Sequence, residues 1–259
     1  RHYVRLGVKN ENIIMVDSTG ILTKSREDAG ELNKYKSEFS RDISDGDLAS
    51  AMVEADVFLG LSKGGIVTRE MVSSMAKRPL IFALANPDPE ILPDDVIAVR
   101  EDAIMATGRS DYPNQINNVL GFPYIFRGAL DVRSTEITEG MKMAATHAIA
   151  QLAKEPVPDD VMSAYNGEQL QFGPEYIIPK PFDARVLIWE ASAVAEAAVN
   201  EGVSRVSPED FNIEIYREEL EARLGLTRSI MRRVINRAKR DRKRIVFCEG
   251  EDPTIIKAA

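Results

Sequence analysis

Asn114, Gln115, Asn117 and Asn118 gather four side-chain amides in a short stretch. They sit between Thr107 and Val132, where glycines and prolines set turns among aromatic and aliphatic residues. A carboxamide donates through its nitrogen and accepts through its oxygen, so two of them can meet a carboxylate and a hydroxyl or second carboxamide together. The same residue types cap helices and close turns through their own backbone, and residue type alone leaves both readings open. Position adds to the first. The amides follow Ala103–Thr107, a run with strand character, and in an open α/β sheet ligands bind outside the carboxyl ends of the strands.

The elements that must position them alternate. Ile13–Asp17 reads as a buried strand, Leu48–Ala55 as a helix, Val57–Leu61 as the next strand, Leu80–Ala85 as a third and Ala103–Thr107 as a fourth. Thr68 is placed to cap a helix running through Ala76, with Glu70 in its first turn. Short apolar strands between helices, with no hairpin turn signals of their own, predict a doubly wound, mostly parallel Rossmann-like α/β sheet. Beyond it the pattern turns helical. Met141, Ala144, Ala145, Ala148, Ile149 and Leu152 share one helix face, with His147 off the stripe. The prolines of Phe172–Phe182 forbid a continuous helix there. Asp183 is placed to cap a helix over Ala184–Asn200, which Gly202 ends.

Composition narrows the function classes. At 259 residues, 44% hydrophobic and 29% charged, the chain can bury a sizeable core. A net charge of −8 argues against nucleic-acid binding. No apolar run approaches the roughly 20 residues of a membrane span, and the start lacks a signal peptide's apolar core. The single cysteine, Cys248, suits a reducing cytoplasm. Two histidines, His2 and His147, rule out a His-rich metal site.

An acid-ended strand at Asp17 is present, yet no G-x-G-x-x-G loop precedes it. The expectation is that the chain begins inside the first βαβ unit; a sheet that binds no nucleotide is the alternative. Near the other end, nine Lys or Arg residues and one acid lie between Arg228 and Arg244, with Met231, Val234, Ile235 and Ala238 striped along a predicted basic helix. It is either a solvated face pairing with acids such as Glu218, Glu219 and Glu221, or a linker meeting another subunit or an anion. Arg244–Gly250 then reads as a strand and turn opening a second α/β domain.

Three segments together resemble a known family. They are 107–132, Ala83–Glu90 and Phe172–Asp183, and they are similar to the bacterial malic enzyme of the large two-part type. In that type a malic enzyme unit precedes a domain similar to phosphate acetyltransferase, whose opening Arg244–Ala259, with its Glu249–Asp252 turn, resembles. The resemblance implies oxidative decarboxylation of L-malate to pyruvate and carbon dioxide, with reduction of NADP or NAD and a need for Mg²⁺ or Mn²⁺. It implies a homo-oligomer and an acetyl-CoA effector acting through the second domain. It divides the chain into a nucleotide-binding domain (1–135, with its N-terminal part missing), a helical C-terminal region of the malic enzyme unit (136–227), a basic linker helix (228–243) and the start of the acetyltransferase-like domain (244–259). The alternatives kept are a non-catalytic regulatory or assembly segment and a dehydrogenase of another small 2-hydroxy acid.

The family's catalytic lysine and tyrosine and its acidic metal ligands are expected upstream of this chain, so no residue here is given those roles; the motif does not match at Lys180 or Tyr176. By resemblance Asn86 contacts the nicotinamide side and the substrate, and Asn118 binds the malate carboxylate, with Asn117 as its neighbour. A turn-capping amide is the alternative for each. Ser62, followed by Lys63-Gly64-Gly65, could line the dinucleotide, and Lys63 departs from the small residues usual in that turn. Arg109 and Asp111 could brace the amide loop, or form a surface pair worth under about 1 kcal/mol. Asp17 ends a strand where an acid binds the ribose hydroxyls of NAD. The family is often NADP-dependent, and Arg26 or Lys24 is then the candidate to meet the 2′-phosphate.

Overall fold

The computed structural model describes residues 1–165 and 168–225. The chain divides into two compact units, Arg1–Asp210 and a second beginning at Phe211. The first unit opens with α1 (His2–Arg5), the short strands β1 (Val16–Asp17) and β2 (Gly20–Ile21), and three short helices, α2 (Lys24–Asp28), α3 (Lys34–Ser37) and α4 (Leu48–Met52). β3 (Val57–Gly60), α5 (Arg69–Ser73), β4 (Leu80–Ala83), α6 (Pro93–Ile97) and β5 (Ile104–Thr107) follow in alternation.

β3, β4 and β5 pair in that order as a parallel sheet, with Gly60, Ala83 and Thr107 level at its carboxyl edge. Phe58, Ile81 and Ala83 are buried from it against Met52, Val67, Val72, Met75 and Val96. That is the parallel, helix-connected sheet expected from the sequence. Thr68 caps α5 as expected, its hydroxyl accepting from the Met71 N–H at 3.3 Å. Pro93 starts α6, and Asp94 and Asp95 complement its N-terminal dipole.

The expected buried strand at Ile13–Asp17 is corrected. Only Val16–Asp17 forms a strand, and it pairs antiparallel with Gly20–Ile21, while Ile14 and Met15 are exposed. The hairpin also corrects the reading that no strand has its own turn. The Asp17 carboxylate accepts from the Thr19 N–H at 3.0 Å, and Gly20 takes φ +136°, so a two-residue turn closes locally. The helix expected over Leu48–Ala55 stops at Met52, because Val53 is extended and Glu54 has φ +56°.

Helices form the rest of the first unit: α7 (Phe122–Asp131), α8 (Glu139–Leu152), α9 (Asp159–Ala164) and α10 (Arg185–Asn200). α8 buries Met141, Ala145, Ala148 and Leu152 on the expected face and leaves His147 exposed. α7 and α10 touch closely at Gly128, where any Cβ would run into the Ala191 carbonyl. Gly202 ends α10 at φ +71°. Asp183 sits one residue before the Ala184 N-cap rather than on it. Its buried carboxylate accepts from the Arg185 N–H and pairs with the Arg185 guanidinium. Phe172–Phe182 is non-helical, and Gly173 and Tyr176 exchange backbone hydrogen bonds in a tight turn.

In the second unit Asn212 caps a helix over 213–225, accepting from the Glu214 and Ile215 N–H groups. The basic helix expected at 228–243 and the acetyltransferase-like opening at 244–259 lie outside the described residues. Among the described residues no helix is long and apolar enough to cross a membrane.

Candidate active site

Because β3, β4 and β5 are parallel and level, their three exit loops leave the same edge of the sheet. A glutamate that the sequence reading did not assign laces the first two together. Glu90 is fully buried. Its Oε1 accepts from the Ser62 N–H at 2.9 Å, beyond β3, and its Oε2 from the Ala85 N–H at 3.0 Å, beyond β4. Its backbone carbonyl accepts from Val67, and that of Pro89 accepts from Gly65. Gly60 is required beneath it, since a Cβ there would fall within the Glu90 carboxyl group. Asn86 follows Ala85 on this brace, with its side chain exposed and a cis peptide to Pro87.

The third loop holds the amides, and the structure separates their roles. Asn114 is a structural residue at φ +53°. Its buried amide donates to the Met105 and Pro174 carbonyls and accepts from the Ile177 N–H. It therefore staples β5 to the Phe172–Phe182 segment. Asn117 caps a 3-10 turn over Asn118–Leu120, its oxygen accepting from the Val119 N–H at 3.0 Å. Asn118 begins that turn and is exposed. Arg109 and Asp111 pair through two contacts of 2.9 and 2.6 Å, and Arg109 also lies over the Tyr112 ring.

Ser62 contributes its backbone to the Glu90 brace, and its side chain is exposed. Asp17 is engaged on all sides. Oδ1 accepts from Thr19 and Arg26, and Oδ2 from Arg26 at 3.3 Å and Lys36 at 2.5 Å. The Arg26 guanidinium, seconded by Lys36, holds its carboxyl well below the usual carboxylate range. Arg26 also donates to the Gly20 and Ile21 carbonyls and pairs with Glu31. Lys24 is committed to Glu27. Lys36, 19 positions after Asp17, had no local sequence signal.

Residues 7–163 match the family described as malic enzyme, NAD binding domain. The chain belongs to the malic enzyme family. It is 51% identical over 254 residues to an NADP-dependent malic enzyme of Rhizobium meliloti, covering 98% of this chain and 33% of that protein. It is 46% identical to an NAD-dependent malic enzyme of the same organism, over 99% of this chain and 33% of the relative. The crystal structure of the Entamoeba histolytica malic enzyme superimposes with a TM-score of 0.78 at 33% identity, over 95% of this chain and 48% of that one. That of the Pyrococcus horikoshii malic enzyme gives 0.73 at 35% identity, over 90% and 52%. This malic enzyme segment thus spans about a third of the length of these curated relatives. Among its described residues no group of three or more His, Cys, Asp or Glu side chains could hold a metal ion.

Proposed function

We propose that the protein containing this chain oxidatively decarboxylates L-malate to pyruvate and carbon dioxide while reducing a nicotinamide dinucleotide. One observation underlies the reading: in a chain of this family, the loops bearing Asn86 and Asn118 leave adjacent parallel strands at one edge, and both amides are exposed there. The exposed Asn118 amide donates to the substrate carboxylate, and Asn86 bridges substrate and nicotinamide. Gly64 packs the Ser62 loop against Asp88, and Gly65 beside it, at φ +72°, has open space where a Cβ would stand, which suits a dinucleotide laid across the strand ends. A nicotinamide dinucleotide held along the Ser62 and Asn86 loops would supply the acceptor for the hydride from the malate carbinol carbon. A divalent cation, Mg²⁺ or Mn²⁺, and the proton-transferring lysine and tyrosine belong in this reading to parts of the protein outside this chain.

NADP is the preferred cofactor. A ribose-binding acid must offer a free acceptor to the 2′-hydroxyl, and the acceptor sites of Asp17 are occupied by Thr19, Arg26 and Lys36. The Lys36 ammonium, 40% exposed, remains able to meet a 2′-phosphate. Lys36→Gln is expected to raise the KM for NADP about fivefold, an exposed charge-assisted contact being worth about 1 kcal/mol. The KM for NAD should hardly move. Equal changes for both cofactors would reduce Lys36 to a support for Asp17.

The deciding experiment is malate-dependent reduction of NADP and of NAD by the full-length protein with Mn²⁺. Turnover with NADP well above that with NAD is expected. A folded protein that binds dinucleotide but reduces neither with malate would overturn the reading in favour of another small 2-hydroxy acid.

A further inference from the structure

Glu190 on α10 has no place in the site just described, and its surroundings are unusual. It is fully buried, and among the described residues neither carboxyl oxygen has a hydrogen-bond partner. A buried polar group without partners is costly, and a buried unpaired charge far more so. The location gives the group a use. Gly121 is the N-cap of α7 and closes the 3-10 turn that begins at Asn118, its N–H donating to the Asn118 carbonyl at 3.2 Å. A Cβ placed on Gly121 would lie 3.7 Å from Glu190 Oε1. Leu120 of the same turn packs on Val186, one turn earlier on α10, together with Tyr124 and Trp189. The Glu190 carboxyl therefore lies beneath the turn that presents Asn118.

We propose that Glu190 is a positioning residue that makes this turn proton-sensitive: while its carboxyl holds a proton the turn presents Asn118 to the substrate carboxylate, and loss of the proton weakens that contact. The inference rests on the malate reading of Asn118. Two physical effects act together. An ionised, unpaired carboxylate cannot stay in an apolar wedge and must draw in water or shift toward a more polar surrounding. Its charge also opposes a second carboxylate arriving on the same turn.

Among the described residues Glu190 has no ion-pair partner, and the buried Nε of Arg127 on α7 likewise lacks a hydrogen-bond partner. Tyr124 faces Glu190 from α7, and its hydroxyl is pushed up by burial and then by Glu190 and Asp183. Arg127 on α7 pairs with Asp131, and Arg185 on α10 with Asp183. Burial pushes the Glu190 carboxyl up to about 8.

The test compares wild type, Glu190→Gln and Glu190→Leu in the full-length protein. The KM for malate, kcat and the KM for NADP are measured between about pH 6.5 and 9.5, with thermal unfolding at each pH. In wild type the KM for malate is expected to rise several-fold as pH passes about 8, with a flat KM for NADP. Both variants should lose that rise, Gln by removing the charge and Leu by removing the polar group altogether. The sign of the stability change is fixed by linkage. A folded-state value raised above that of the unfolded chain means stability is lost as pH climbs from about 4.5 through about 8 and is level beyond. Over the measured range the stability gap between wild type and variants should therefore widen up to about pH 8 and stay level beyond. Identical malate profiles in all three proteins would overturn the proposal, even with the stability difference present. If Asn118→Ala leaves malate kinetics unchanged, Asn118 is not in the site and this proposal fails with that assignment, while the malate activity itself stands. If Asn118→Ala acts while the Glu190 variants do not, this proposal alone fails.

Discussion

In the full-length protein Asn118→Ala is expected to lower kcat/KM for malate about 10- to 100-fold, through a higher KM and a slower turnover. The amide starts the 3-10 turn at the carboxyl edge of the sheet and is exposed there, so it is free to donate to a carboxylate. Losing one charge-assisted hydrogen bond costs roughly 1.5–3 kcal/mol, and each 1.4 kcal/mol or so is tenfold in rate. The neighbouring amides serve as internal controls because the structure gives them other duties. Asn117→Ala removes a cap on the Val119 N–H and should cost about 1 kcal/mol of stability, with a smaller effect on malate. Asn114→Ala breaks the staple to Pro174 and Ile177 and should act on folding first. Steady-state kinetics beside thermal unfolding separates these outcomes. Asn118→Ala with wild-type malate kinetics would remove this residue from the site.

The parallel sheet was legible because its signal is local: apolar runs of five or six residues set between helical runs. The same logic failed at Ile13–Asp17. Five apolar-to-acid residues look like a buried strand, but burial depends on what packs above them, and here Ile14 and Met15 face solvent while a side-chain turn at Asp17 closes a hairpin. Site residues divided along the same line. The exposed amides at strand ends could be singled out as candidates in the sequence because position and residue type agree there. Glu90 and Lys36 could not be assigned from the sequence, since what defines each is a partner far away in the chain. Glu90 meets Ser62, 28 positions back, and Lys36 meets Asp17, 19 positions back. Glu190 was hidden for a further reason. In an alanine-rich helix an isolated acid reads as solvated, and only the crossing with α7 shows that it is buried.

Glu90 yields the largest effect on stability, and its form follows from the two donors it satisfies. Glu90→Ala leaves the Ser62 and Ala85 N–H groups without their acceptor and opens a cavity under the strand ends. An orphaned buried donor costs about 1–3 kcal/mol, so about 3–5 kcal/mol in total is expected in urea unfolding. Glu90→Gln keeps one acceptor but turns an NH₂ toward the other N–H, and should cost about 2 kcal/mol. Both should weaken dinucleotide binding beyond any effect on the malate contact, because the Ser62 and Asn86 loops share this brace. Gly60→Ala provides an independent check. Alone it drives a methyl group into the Glu90 carboxyl and should be strongly destabilising. In a Glu90→Ala background the obstacle is gone, so the second substitution should cost much less than it does alone. Groups in direct contact depart from additivity in this way, by roughly 0.5–3 kcal/mol. Additive losses in the double variant would show that Gly60 is required for some other reason and that the carboxylate does not bind the two loops together.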